Sequence, residues 1–98
     1  MIEDLSVILF SMKGCPHCED FKKMLIDEGI EFYDRDIDKY KDEYDMFVRI
    51  TNNEMVPAFM VLENNDDEIN SYLYAPERNY NELTEALTII KEHVVKFR

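Results

Sequence analysis

Cys15 and Cys18 are the only cysteines of a 98-residue chain, and they stand two residues apart in Cys15-Pro16-His17-Cys18. Two thiols at that spacing can close an intramolecular disulfide and reopen it by exchange with a partner, provided one is a reactive thiolate and the other can reach it. The flanking residues predict that arrangement. Leu5-Ser6-Val7-Ile8-Leu9-Phe10, just before the pair, is short and mostly apolar, as a buried strand is. Phe21, Met24, Leu25 and the aliphatic stem of Glu28 follow at helical spacing, and Gly29 is placed to end that helix. Pro16 fits the first helical turn, where its missing N–H has no partner to lose. A strand, a turn and a helix N-terminus leave Cys15 at the helix mouth, where free N–H groups and the positive dipole end favour a thiolate. Cys15 is therefore expected to be the exposed attacking sulfur. Cys18, about one turn along, is expected to be more buried and to resolve the mixed disulfide.

The same pair could instead hold a metal or be two inert thiols. A structural zinc site wants four ligands, and the chain adds only His17 and the remote His93, so no metal ligands are predicted. An iron–sulfur module sharing Cys15 with a second subunit is the alternative from another class; Pro16, which stiffens the loop, weakens it. His17, between the cysteines, would stabilise the Cys15 thiolate when protonated and make the pair a stronger oxidant, or it is a surface histidine filling a turn. Lys13 either adds positive charge beside Cys15 and binds a substrate carboxylate, or is a solvated loop residue. His93, beside Lys91 and Lys96, reads as an ordinary cation near a helix C-terminus. Pro57 opens an apolar run, which is commonly an edge or entry device. A cis bond to Val56 would instead let that turn face a neighbouring site and offer the Val56 backbone to an extended peptide.

The length suits one compact domain, residues 1–98, and a hydrophobic fraction of 46% with six Phe and six Tyr supports a packed core. A net charge of −11 argues against nucleic acid, whose phosphates would be repelled. Its first meaning is solubility; a bias toward partners with basic surfaces around their disulfides is the functional alternative. Met1 opens an acidic segment with no basic region and no signal-like or membrane-length apolar stretch. A cytoplasmic monomer is expected, and in a reducing compartment two cysteines point to catalysis or metal rather than to a disulfide scaffold.

The elements that must position the pair follow from periodicity. Ile30, Phe32 and Asp34 alternate with Glu31, Tyr33 and Arg35, predicting a half-buried strand leading to Ile37. Tyr40, Tyr44, Phe47, Val48 and Ile50 predict an amphipathic helix ending near Thr51-Asn52-Asn53. Val56 to Leu62 and Ile69 to Tyr74 predict an antiparallel hairpin around Asn64-Asn65-Asp66-Asp67. Asn79, with Glu82 as its capping-box partner, predicts the start of a closing helix carrying Leu83, Ala86, Leu87, Ile90 and Val94. The order is β-α-β-α-β-β-α, an α/β fold with a four-stranded mixed sheet flanked by three helices, its first β-α-β parallel and its last hairpin antiparallel.

With Cys-Pro-His-Cys after the first strand, Val56-Pro57 opening the third and a hairpin-plus-helix end, the chain resembles the thioredoxin/glutaredoxin superfamily over nearly its whole length. Its size and Cys-Pro-x-Cys motif are similar to glutaredoxins, while Cys-Pro-His-Cys itself is the sequence associated with a bacterial periplasmic disulfide oxidant. The resemblance implies a thioredoxin-like fold and a thiol–disulfide oxidoreductase, with Cys15 as nucleophile, Cys18 as resolving thiol and Pro57 as a cis-proline facing them. It implies no bound cofactor, glutathione as a possible co-substrate, and disulfide-containing proteins or a reductase as partners. Pro16, His17, Lys13 and Val56 complete the candidate site. Two departures count against glutathione: Tyr74-Ala75-Pro76-Glu77-Arg78 replaces a Gly-Gly-x-Asp stretch, and Met12 replaces a lysine three residues before the first cysteine. Tyr74 to Leu83 is instead similar to the ending of protein disulfide isomerase domains, which with His17 makes a protein-disulfide oxidant or isomerase the alternative. Leu9 stands where thioredoxins and those isomerase domains carry a buried acid.

Overall fold

The computed structural model describes residues 4–64 and 67–96. Its elements are β1 (Asp4–Ser11), α1 (Pro16–Asp27), β2 (Tyr33–Asp36), α2 (Lys41–Thr51), β3 (Ala58–Asn64), β4 (Ile69–Tyr74) and α3 (Leu83–Lys96). The four strands lie in the order β2-β1-β3-β4. β1 and β2 pair parallel and β3 and β4 antiparallel, as the sequence predicts, and β1 also pairs antiparallel with β3. Part of the predicted hairpin turn, Asn65-Asp66, lies outside the described residues.

Strand alternation sorts the core onto two faces of the sheet. Val7 and Leu9 of β1, with Phe59 and Val61 of β3, pack against Phe21 and Leu25 of α1 and Ala86 and Ile90 of α3. Phe10 and Ala58 point the other way, toward Tyr44 and Phe47 of α2. The centre of the first cluster is aromatic: the Phe59 ring lies 5.8 Å from Phe21, 5.0 Å from Tyr74 and 5.7 Å from Tyr80. Stacked helices on one side and a single helix on the other hold β1 and β3, the two central strands, rigidly side by side.

Helix ends follow local chemistry. α1 stops in a Schellman motif, with Gly29 N–H donating to Ile26 O and Ile30 N–H to Leu25 O, and Gly29 adopts the φ of 69° that the motif demands. That motif takes up the Ile30 amide, so β2 begins at Tyr33 rather than near Ile30. Ile30 and Phe32 still pack on the first cluster. Ile50 is 62% exposed, because the buried stripe of α2 runs through Tyr44, Phe47 and Thr51 and leaves it on the flank. α3 begins four residues after the predicted cap. Asn79 Oδ1 accepts the Ala75 N–H instead, and the Glu85 carboxylate accepts the N–H groups of Asn81 and Glu82. No helix among the described residues is long and apolar enough to cross a membrane.

Candidate active site

β1 delivers the chain to the cysteine pair through a tight turn in which Cys15 N–H donates to Met12 O at 3.2 Å and Gly14 takes a φ of 80°. Cys15 is the N-cap residue of α1 and Pro16 occupies its first turn. A side chain at an N-cap accepts from the amides of the first turn; here the acceptor is sulfur, and Cys18 N–H donates to Cys15 Sγ at 3.2 Å. The two residues form a disulfide, their Cα atoms 5.2 Å apart, within the range such a bond requires. Cys18 is fully buried. Cys15, expected to be exposed, keeps only 8% of its surface, because the bond draws its sulfur in toward Cys18. Pro16, His17 and Lys13 are all exposed.

Register brings the second half of the site alongside. Phe10 in β1 pairs with Ala58 in β3, so the turn leaving β1 and the turn entering β3 emerge at the same end of adjacent strands. The Val56-Pro57 bond that enters β3 is cis. This turn is fastened by three side chains that no local sequence pattern marks as part of a site. Tyr80, 5% exposed, donates its hydroxyl to Pro57 O. Tyr44 donates to Glu54 O at 2.7 Å. Asn53 bridges two loops, its Nδ2 donating to Pro76 O and its Oδ1 accepting from Met55 N–H, both at 2.8 Å. Burial pushes the Tyr80 phenol well above its ordinary titration range, so it is a fixed donor rather than an acid at any physiological pH.

A groove of roughly 380 Å³ runs along this turn and reaches His17, between the two cysteines. His17, Val56 and Pro57 line one part of it; Met55, Pro76, Tyr80 and Leu83 supply apolar wall, and Glu77 and Glu82 also border it. His17, Val56 and Pro57 thus share one surface. Lys13 stands in the loop before Cys15, outside that lining.

The model of the glutaredoxin family matches residues 7–65, a span that holds both cysteines and Pro57. The chain belongs to the glutaredoxin family. It is a thiol–disulfide oxidoreductase, and its close cysteine pair can form a disulfide. Solved structures agree on the fold. The chain is similar to thioredoxin from Trichomonas vaginalis, at 19% identity and a TM-score of 0.63 over 96% of this chain and 79% of that one. It is likewise similar to thioredoxin from Plasmodium falciparum, at 18% identity and a TM-score of 0.64 over 95% and 70%. Thioredoxin from Thermus thermophilus matches at 17% identity and 0.62, over 94% and 75%. No curated protein matches the chain significantly. The fold is thioredoxin-like.

A polar knot supports the base of this glutaredoxin-family site. Ser11, buried at the end of β1, donates to Asp34 of β2 at 2.6 Å, and Lys22 of α1 reaches the same carboxylate at 2.8 Å and Glu19 at 3.0 Å. Burial alone would raise the Asp34 carboxyl, but hydrogen bonds from Lys22 and Ser11 and the Lys22 charge outweigh it and hold it below its ordinary range. The knot ties the strand that leads into Cys15 to the helix that follows it. No group of three or more His, Cys, Asp or Glu side chains among the described residues is arranged to hold a metal ion.

Proposed function

We propose that this protein reduces or exchanges disulfides through a Cys15 thiolate, with Cys18 as the resolving thiol and the Val56-Pro57 turn as the seat for an extended substrate. The observation that carries the reading is the Cys18 amide aimed at Cys15 Sγ at the first turn of α1. In the reduced protein that amide and the helix dipole favour negative charge on the sulfur. Cys15 then attacks a substrate disulfide and expels one sulfur; Cys18 attacks the mixed disulfide, closes the internal bond and frees the other. Pro16 holds the first turn without a competing N–H, and a protonated His17 adds charge that favours the thiolate. Lys13, on the loop before Cys15, is available to a substrate carboxylate. Glutathione or a reductase returns the pair to the dithiol, and a reducing compartment such as the cytoplasm suits that cycle. The position of His17 between the cysteines favours, as a second reading, a protein-disulfide oxidant running the same steps in reverse.

The test is alkylation of the reduced protein across pH, with Cys18→Ser as a trap. Cys15 is expected to alkylate at a pH well below that of an ordinary thiol, whose titration lies near about 8.5. Cys18→Ser is expected to accumulate mixed disulfides, and Cys15→Ser to form none. Alkylation of Cys15 that follows an ordinary free thiol, with no trapped species, would overturn the reading. Reduction by glutathione buffers against reduction of trapped proteins separates the reductase from the oxidant direction.

A further inference from the structure

The groove beside the disulfide has a chemistry the redox steps do not require. Its apolar wall, Met55, Pro76 and Leu83, is bordered by two exposed carboxylates, Glu77 and Glu82; His17 is the one basic residue in the lining, which includes no lysine or arginine. Arg78, adjacent to Glu77, does not neutralise this border. Its guanidinium is turned back, donating to Leu73 O at 3.0 Å and to Asn79 Oδ1 at 3.1 Å. The whole chain carries a net charge of −11, so the surrounding field has the same sign as the groove. An acidic substrate side chain meets repulsion between these two carboxylates. A long aliphatic stem ending in a cation fits both parts of the groove, its methylenes on the apolar wall and its head between the carboxylates.

We propose that this groove is a specificity subsite for a lysine or arginine side chain, carried by an extended protein segment close to the disulfide that Cys15 attacks. The proposal rests on the redox reading above and deepens it by naming the substrate class. The exchange balances within the two reactants. Cys15 thiolate bonds to the substrate sulfur nearest the groove, and the other substrate sulfur leaves as a thiolate. Cys18, giving up its proton, then attacks Cys15 Sγ, the first substrate sulfur leaves, and the Cys15–Cys18 bond closes. The dithiol loses two electrons and two protons, and the substrate disulfide becomes two thiols.

The experiment uses three synthetic peptides that differ only in the residue two places from a single cysteine, Lys, Gln or Glu, each as its disulfide-linked dimer. Oxidation of the reduced full-length protein by each dimer is followed in single-turnover mixing. The Lys dimer is expected to react about 10-fold faster than the Gln dimer, and the Glu dimer more slowly than either. Combining Glu77→Gln with Glu82→Gln is expected to cut the Lys advantage to about twofold while the Gln rate stays within about twofold of its original value. Equal rates for the Lys and Gln dimers would overturn the proposal and leave the redox reading intact. So would an advantage that survives in the double variant, since it would then belong to net charge and not to the groove. Failure of every dimer to oxidise the dithiol would overturn both.

Discussion

Cys15 draws its chemistry from an accident of position: it caps a helix whose first amides lack intrahelical acceptors, and the amide of Cys18 takes its sulfur as one. The residues that hold the opposing turn act differently, through hydroxyl and amide groups that pair with backbone atoms of the loops. Tyr80 is the deepest of these, and its removal has a definite expectation. Tyr80→Phe keeps the ring against Phe59 but leaves Pro57 O without its donor, so the oxidised protein should lose about 1–2 kcal/mol in urea unfolding. An unchanged midpoint would mean that water replaces the hydroxyl at no cost. At this scale the sequence was legible only in part. Two cysteines at redox spacing announce themselves, and Val56-Pro57 does so through resemblance. Tyr80 and Asn53 do not, because each meets its partner 23 residues away in a bond that no local pattern encodes.

Between elements, the far end of the sheet is joined to α3 by an ionic cluster around one buried carboxylate. Glu63 of β3 is 2% exposed, with His93 Nδ1 at 2.6 Å and Lys96 Nζ at 3.5 Å, both from α3. A carboxylate only accepts, so Nδ1 donates, while His93 Nε2 lies 2.7 Å from the Tyr74 hydroxyl of β4. Burial alone would raise the Glu63 carboxyl, but the His93 hydrogen bond, the Lys96 and His93 charges and the Tyr72 hydroxyl together hold it below the usual 4.5. A lowered folded value means that the stabilisation is complete above 4.5 and is lost as pH falls through that lower value. Glu63→Gln should cost about 1–2 kcal/mol at neutral pH, the value of a hydrogen bond to a charged group, with the gap to the parent narrowing in acid, as urea midpoints at both pH values would show. A gap of equal size in acid would mean that the carboxylate is not acting as an anion. His93 reads in the sequence as a plain helix-end cation; its partner, 30 residues upstream, makes it a bolt between β3, β4 and α3. The elements themselves were largely legible, because period-two and period-three-to-four patterns survive burial. Their ends were less so, since Asn79 turns to Ala75 and Glu85 does the capping.

For the molecule as a whole, 22 acidic against 11 basic residues set a self-repulsion that folding must overcome. Screening should relieve it. Raising salt from about 10 mM to about 200 mM should raise the melting temperature by about 4–8 °C, the equivalent of about 1 kcal/mol for a chain of this size. A melting temperature that stays flat would show that the local ion pairs, such as Lys22–Asp34 and Lys91–Glu28, already balance the excess charge.

The pairing of Phe10 with Ala58 reaches further than the sheet. Side chains alternate across a strand, so sliding β3 by a single position against β1 would bury Ala58 where Phe59 belongs and swing the proline turn away from the sulfurs. Folding error and catalytic error are thus one event in this chain: a molecule whose interior has closed correctly has, by that fact, already assembled its reaction centre.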